Sequence, residues 1–280
     1  MTRDDGNQDD NPLGSFLRSR RERIDAASAG VVDNSRRRVK GLRREELALL
    51  AGVSPSYYTR IEQGRDRHPS REILEALAKV LRLDDTERRY LWSLVAPALA
   101  SAGRQGTGPV RPGVLVLLQR WADLPAFVVG PGRDVLAATA LATRLNPAWS
   151  TGRNLIEFTF LDPRAREVFP DWQDIALQAV AGLRTTAAAR PGELDGLVAD
   201  MRERSETFRA LWDSHQVYDR VTGEKRLAVD GVGESGVLTL DFETFALAGP
   251  EGHVLYVYFA CPGSTDDAAL RGLAEEERGR

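Results

Sequence analysis

Cysteine and long apolar runs are scarce in this chain of 280 residues. Cys261 is the only cysteine, which excludes an intramolecular disulfide and a zinc site built on paired cysteines. The longest apolar runs, at 114–118 and 254–260, are much shorter than the roughly 20 residues that span a bilayer. The N-terminal segment is polar and acidic, unlike a secretory signal. We therefore expect a cytoplasmic protein with no metal site and no membrane partner.

Positive charge is concentrated near the start of the chain, in residues 11–82. Residues 11–82 carry 16 Lys or Arg against nine Asp or Glu, whereas residues 83–280 carry 21 against 28. Such asymmetry suggests that the first part binds a polyanion and the second does not. Hydrophobic residues make up 42% of the chain, as in globular proteins, and its length leaves room for about two domains.

Composition and periodicity divide the chain into five segments. The predicted segments are a disordered acidic tail at 1–11, a helical domain at 12–96, a linker at 97–112, a mixed domain at 113–262 and a C-terminal tail at 263–280.

The first domain shows helical spacing of apolar residues in five stretches. Ser54 is a good N-cap and Pro55 suits the first helical position, while Gly52 and Gly64 suit the ends of two successive short helices. Asp84 precedes a further helix with the spacing of a capping box. Two short helices joined by a turn that contains Gly, within a five-helix unit, predict an all-α domain with a helix-turn-helix.

The motif EELALLAGVSPSYYTRIEQGR resembles the helix-turn-helix of XRE (Cro/C1-type) regulators. The longer string GLRREELALLAGVSPSYYTRIEQGRDRHPS is similar to actinobacterial regulators of the MmyB-like class. This resemblance extends from about Leu13 to about Pro262. It implies a five-helix, lambda-repressor-like DNA-binding domain followed by an α+β, PAS-like ligand-binding domain.

The second short helix supplies candidate contacts with double-stranded DNA, because residues near the N-terminus of a recognition helix reach base edges. These candidates are Pro55, Ser56, Tyr57 and Arg60, with Ser54 as the cap. The resemblance implies backbone contacts from four further positions, and the preceding basic loop suggests phosphate contacts. They are Arg44, Gln63, Arg65 and Arg67, and in the loop Arg36, Arg37, Arg38 and Lys40. The alternative is a solvated arginine-rich face on a plain helical bundle.

The second domain mixes strand and helix patterns. Two short strands flank the turn at 130–133, three more strands lie at 224–230, 236–247 and 253–262, and strong helical patterns cover 171–184 and 193–217. A small antiparallel sheet with helices on one face predicts an α+β fold.

Aromatic residues are concentrated in this domain and suggest a pocket for an apolar or amphipathic molecule, because ligand pockets are mostly apolar. The resemblance implies a fatty-acid-like ligand, although Ala138 and Thr139 replace a Trp-Asn pair of related sequences. For any single ring, the alternative is an ordinary core position. The candidates are Phe127, Trp149, Phe158, Phe160, Trp172, Phe208, Trp212, Tyr256 and Tyr258.

The sequence contains no complete enzyme motif of the dinucleotide-binding or kinase type. Residues 231–236 match G-x-G-x-x-G, but a strand pattern follows them where a dinucleotide site needs a helix. The chain also lacks the HRD and DFG sequences of a kinase. We therefore expect neither a catalytic residue nor a cofactor.

Three hypotheses follow from the sequence. The first is a homodimeric transcription regulator that binds an operator and is controlled by a small ligand. The second is a regulator whose C-terminal domain only dimerises or docks a protein partner. The third is an enzyme tethered to DNA.

Overall fold

The computed structural model describes residues 11–25, 29, 41–95, 108–216, 222–229, 231–232, 236–249 and 251–279. The chain divides into two compact units. The first comprises Met1–Ala98 with Ser214–Tyr218, and the second comprises Leu99–Asp213 with Asp219–Arg280. Several predicted features lie outside the described residues, namely most of the acidic tail (1–10), most of the linker (97–107) and the basic loop with Arg36, Arg37, Arg38 and Lys40.

The N-terminal unit is helical, as the sequence predicts. Side-chain caps explain where its helices begin: Asn11 Oδ1 accepts from the backbone N–H of Gly14, and Ser54 Oγ accepts from that of Tyr57. Asp84 and Glu87 form the predicted reciprocal capping box. The helices are α1 (Pro12–Arg23), α2 (Arg44–Leu50), α3 (Pro55–Glu62), α4 (Arg71–Val80) and α5 (Asp85–Val95).

The tight turn between α2 and α3 depends on Gly52, whose φ of 68° lies in the left-handed region. Next to this turn, α2 and α3 direct their apolar faces into one core. Its fully buried members include Phe16, Leu17, Leu47, Tyr58, Ile61 and Leu77.

The C-terminal unit contains a five-stranded antiparallel sheet in the order β2-β1-β5-β4-β3. This arrangement with its helices confirms the α+β class. The strands are β1 (Ala126–Val129), β2 (Val135–Ala138), β3 (Thr222–Ala228), β4 (Val237–Ala246) and β5 (Val254–Phe259). The helices are α6 (Pro112–Arg120), α7 (Ala140–Leu145), α8 (Leu155–Leu161), α9 (Arg164–Val168), α10 (Trp172–Ala189), α11 (Asp195–Arg204), α12 (Glu206–Asp213) and α13 (Thr265–Arg278).

Each face of the sheet has its own core, because alternate residues of a strand point to opposite faces. On one face, Val128 and Val257 lie in a cluster with Val114 and Leu118 of α6. On the other face, aromatic rings from β1, β4 and β5 pack with residues of α7 and α13. We call the rings of Phe127, Trp149, Phe169, Phe242, Tyr256 and Tyr258 the aromatic cluster.

One sequence prediction requires correction. Residues 263–280 were expected to be a tail, but Thr265–Arg278 form α13, which begins at the Ser264 cap and buries Leu270, Leu273 and Ala274. The predicted helical pattern at 193–217 is confirmed, and it consists of the two successive helices α11 and α12. Ser205 separates them, because its backbone is extended and its hydroxyl caps the next helix at Phe208.

No helix among the described residues is both long and apolar enough to cross a membrane.

Candidate functional site

The leading end of α3 is accessible. Pro55, Ser56 and Arg60 are exposed and Tyr57 is half-buried, while Ser54 is occupied in capping the helix. The Arg60 guanidinium lies 3.6 Å from a carboxylate oxygen of Asp66 and 6.0 Å from the Tyr57 ring centre. An exposed ion pair of this kind contributes little to stability, so Arg60 exchanges partners readily.

Further candidates surround the C-terminal end of α3. Gln63, Arg65 and Arg67 are exposed, and Arg67 Nε donates to the carbonyl of Gly64 at 3.3 Å. Arg44 differs from these three, because its Nε lies 2.8 Å from Glu62 Oε1 and its side chain is only 42% exposed.

Glu62 joins three helices through buried charge. Its carboxylate accepts from Arg21 at 3.0 and 3.1 Å and from Arg44 at 2.8 Å, and Arg18 lies 3.4 Å away. We call these four residues the Glu62 cluster. Burial opposes the charged form, but the hydrogen bonds from Arg21, Tyr58 and Arg44 together with the charge of Arg21 outweigh it, and the pKa of Glu62 lies below its ordinary value.

The backbone of α3 is also fixed to α1. Asn11 Nδ2 donates to the Glu62 carbonyl at 2.9 Å, which satisfies an acceptor at the end of α3. A Cβ at Gly14 would overlap the same carbonyl oxygen, so glycine is needed for this close approach. The charge cluster and this contact fix α3 against α1 and α2. The sequence did not reveal them, because α1 and α3 are distant in the chain.

The apolar side of the helix-turn-helix faces away from solvent. Leu47, Ala48, Tyr58 and Ile61 are fully buried, and Val53 is half-buried. The exposed side chains of α3 therefore form a polar surface that is separate from its core side.

The aromatic candidates of the C-terminal unit do not meet in one place. Phe127, Trp149, Phe158 and Tyr258 are buried on the sheet, with Trp172 and Tyr256 packed at the margin of that cluster. Phe160 and Trp212 instead pack around the buried Phe208 among α8, α10, α11 and α12.

Lys225 extends into the aromatic cluster, which the sequence did not predict. Its Nζ lies 5.7 Å from the ring centre of Phe169, 5.5 Å from that of Phe242 and 5.6 Å from that of Tyr258. Burial lowers the pKa of Lys225 to about 8, because the charged form is poorly solvated there. The exposed residues of β3 alternate with the side of the strand that carries Lys225, which places this lysine on the inward side.

An open cleft of about 360 Å³ lies beside α8 and α9. Phe158 and Leu161 form part of its wall, and the charged residues at the cleft include Arg153, Glu157 and Arg204. The Phe158 ring packs edge-on against Phe169 at 6.4 Å, so the cleft adjoins the aromatic cluster.

Within the described ranges, no three His, Cys, Asp or Glu side chains are grouped closely enough for a metal site. Cys261 is exposed at the end of β5.

Comparison with known families agrees with both units. A helix-turn-helix domain model matches residues 12–91, and a model described as an MmyB-like transcription regulator ligand binding domain matches residues 110–273. No curated protein was found to match the chain. The two matches confirm the resemblance drawn from the sequence, and they identify a DNA-binding transcription regulator. Since the second match covers more than half of the 280 residues, the chain belongs to the family of MmyB-like transcription regulators.

Proposed function

We propose that this regulator binds its operator as a homodimer through α3 and that a small amphipathic ligand in the C-terminal domain controls it. The observation that carries the DNA-binding part is the exposed leading end of α3, fixed to α1 and α2 by the Glu62 cluster. A helix presented in this way enters the major groove without first being ordered.

Arg60 is the candidate for base recognition. Its guanidinium is exposed one turn after Pro55, and its ion-pair partner among the described residues is the partly exposed Asp66. A guanine offers two acceptors that match the guanidinium fork, and such a contact discriminates by about 1–3 kcal/mol.

Gln63, Arg65 and Arg67 are candidates for contacts with phosphates, which position the protein without reading sequence. Arg44 has a different role in this proposal. Because it is bound to Glu62, it orients α2 and reaches phosphate only with the part of its fork that remains exposed.

Dimerisation follows from operator geometry, because two recognition helices about one helical turn apart match a two-fold operator. The exposed Leu115, Val116 and Leu117 of α6 support a contact between copies, since apolar surface of this kind marks interaction sites.

Ligand control requires a ligand with different affinities for two arrangements of the dimer. The lysine among aromatic rings and the neighbouring cleft support a site for a molecule with both apolar and polar parts.

Gel-shift titration of the full-length protein with fragments of its own upstream region tests the DNA-binding proposal. We expect binding at low ionic strength and a steep loss with salt, because each phosphate contact releases counterions. Arg65→Ala should reduce the logarithmic salt slope by about one, whereas Arg120→Ala, at an exposed arginine of α6, should not. Failure to shift any fragment at low salt contradicts the proposal.

Native mass spectrometry of the purified protein tests the ligand and the dimer. A co-purified small molecule on a two-chain species supports both. A ligand-free dimer would favour a C-terminal domain that only dimerises or docks a partner.

A further inference from the structure

Asp66 places a negative charge beside the proposed DNA-reading surface of α3. Between residues 54 and 70 the acidic residues are Glu62 and Asp66, and Glu62 is buried within its own cluster. Asp66 lies in the loop after α3, between the exposed Arg65 and Arg67. A carboxylate at this place repels the phosphates of a duplex and lowers the affinity for DNA of any sequence. Its side chain is therefore a candidate for a role in specificity.

The loop after α3 folds back so that Asp66 contacts the helix that it follows. Gly64, with a φ of 72°, reverses the chain at the end of α3. The backbone N–H of Asp66 donates to the carbonyl of Arg60 at 3.3 Å, and that of Arg65 donates to the same carbonyl at 2.9 Å. The Asp66 side chain is 21% exposed, whereas that of Arg60 is 57% exposed. These backbone hydrogen bonds hold the carboxylate beside Arg60.

The Asp66 carboxylate lies near two candidates for base contacts. Its Oδ2 is 3.6 Å from Nη2 of Arg60, which is its ion-pair partner among the described residues. Burial of the Tyr57 ring and the negative charge of Asp66 raise the pKa of Tyr57, so the carboxylate is close to this side chain as well. The Arg60 guanidinium is 6.0 Å from the Tyr57 ring centre. The three side chains therefore form one group on the exposed side of α3.

The direction of the Arg60 guanidinium decides which part of a duplex it binds. An unrestrained guanidinium forms bidentate hydrogen bonds with a phosphate or with a guanine, and only the guanine contact reads sequence. Because arginine has five N–H donors, one edge of the fork can remain with Asp66 while the others donate to a guanine. A swing toward a phosphate would separate the ion pair and leave two negative groups close together.

We propose that Asp66 is a positioning residue for base recognition, which directs the Arg60 guanidinium toward base edges and disfavours its contact with phosphate. Asp66 thereby lowers the affinity for non-operator DNA more than the affinity for the operator. This assignment rests on the proposed function, in which α3 reads the operator through Arg60. Since the ion pair is partly exposed and weak, the expected effect is a several-fold change in discrimination rather than a loss of binding.

A purely structural role for Asp66 predicts a different result. If the side chain only stabilised the loop after α3, its removal would weaken binding to every duplex by the same factor. Discrimination between sequences would then stay unchanged.

Fluorescence anisotropy with the full-length protein separates the two roles. The probes are an operator duplex, selected by the wild-type protein from a random library, and a shuffled duplex of the same base composition. Asp66→Asn keeps the size of the side chain and removes its charge. We expect it to bind the shuffled duplex about three- to ten-fold more tightly with little change for the operator, because the restraint on Arg60 and the repulsion of phosphate are lost. The ratio of the two Kd values should fall by the same factor.

The dependence on salt provides a second readout. On the shuffled duplex, the logarithmic salt slope of Asp66→Asn should be steeper than that of wild type by about one, because Arg60 gains a phosphate contact. A side chain that only stabilised the loop would not produce this change.

Further variants show whether Asp66 acts through Arg60. In an Arg60→Ala background, Asp66→Asn should leave the ratio of Kd values unchanged, because the side chain that it positions is absent. Asp66→Glu keeps the charge and should retain most of the wild-type ratio, whereas Asp66→Ser removes the charge and should reduce it. Asp85→Asn, at an exposed position of α5, is the matched control and should leave the ratio unchanged. Circular dichroism verifies that each variant is folded.

The outcomes distinguish failure of this role from failure of the proposed function. A ratio for Asp66→Asn equal to that of wild type overturns the positioning role, and so does an equal loss of affinity for both duplexes. A fall in the ratio that persists in the Arg60→Ala background also overturns it, because Asp66 would then act without Arg60. In all these cases the wild-type protein still discriminates. A wild-type protein that binds neither duplex, or both equally, contradicts the proposed function and the positioning role with it.

Discussion

The two units of this regulator differ in whether an inward-pointing charged side chain has a partner of opposite charge among the described residues. In the N-terminal unit, the buried Glu62 is matched by Arg18, Arg21 and Arg44. In the C-terminal unit, Lys225 enters an aromatic interior without a matching carboxylate among the described residues.

This difference corresponds to different tasks. A compensated charge has one favourable arrangement, so it fixes α3 in the orientation that DNA requires. An uncompensated charge costs stability and is retained where a ligand or a reaction uses it. The N-terminal unit is therefore organised before it binds DNA, whereas in the proposed function the C-terminal unit binds a ligand.

The largest effect is expected from breaking the compensated cluster. Glu62→Gln removes the negative charge and leaves Arg21 buried, which should destabilise the N-terminal unit by about 3–5 kcal/mol. Hydrogen exchange of α1 and α3, followed by mass spectrometry of the full-length protein, measures this loss. Glu45→Gln, at an exposed position of α2, is the control. Similar protection in the two variants would show that the cluster does not fix α3.

Acid should weaken the same cluster. The pKa of Glu62 is lower in the folded state than the ordinary value of about 4.3, so its carboxylate stabilises the folded state above that value. This contribution is lost as pH falls through the lower, folded pKa. Protection of α3 should therefore decrease below about pH 4 in the wild type, and the Glu62 component of this decrease should be absent in Glu62→Gln. Identical acid profiles would contradict the assignment.

A smaller loss of stability is expected when a side chain is introduced between α1 and α3. Gly14→Ala places a methyl group against the Glu62 carbonyl, which should cost about 1–3 kcal/mol. Gly113→Ala is the matched helical control, because nothing lies within 4 Å of its Cβ, and it should be neutral or stabilising by up to about 1 kcal/mol. Thermal unfolding followed by circular dichroism compares them. The packing argument fails if Gly14→Ala is as stable as Gly113→Ala.

The smallest change in stability is expected from substitution of Lys225. This substitution should stabilise the protein, whereas the preceding ones destabilise it. Lys225→Met should stabilise the ligand-free C-terminal unit at pH 7 by on the order of 1 kcal/mol. The reason is that attraction between the ammonium and the aromatic rings offsets only part of the desolvation cost. The cost is complete below the folded pKa of about 8, declines as pH rises and vanishes above the unfolded value of 10.5. Among the described residues, the titratable group whose contact with Lys225 is observed is Tyr258, and burial raises the pKa of Tyr258.

Hydrogen exchange of β3, β4 and β5 at pH 7 and pH 10 measures this gain, which should shrink at the higher pH. A variant that is less stable than wild type at pH 7 would show that the aromatic rings compensate the ammonium fully.

Local signals predicted the N-terminal unit well. The caps at Ser54 and Asp84 depend on residues within three positions, so the sequence contains the whole interaction. Ser264 caps α13 through an equally local hydrogen bond, although this helix was predicted to be a tail. The apolar run of α8 carries no comparable local signal, because a short continuous apolar stretch has no period that separates helix from strand.

The sites themselves were less predictable. The exposed residues of α3 followed from the motif, but the contact of Glu62 with Arg21 joins residues 41 positions apart and exists only after folding. The inward direction of Lys225 depends on the register between β3 and β4. Successive side chains of β3 point to opposite sides of the sheet, but the sequence of this strand does not indicate which side is buried.

The most direct test of the account is selection of bound sequences from a random duplex library by wild-type protein and by Arg60→Ala. The account predicts one enriched motif for the wild type and the loss of preference at a single guanine in each half-site for the variant, a change of about 1–3 kcal/mol in discrimination. Arg120→Ala should select the wild-type motif. An Arg60→Ala protein that is folded and selects an unchanged motif would contradict the claim that the leading end of α3 reads the operator.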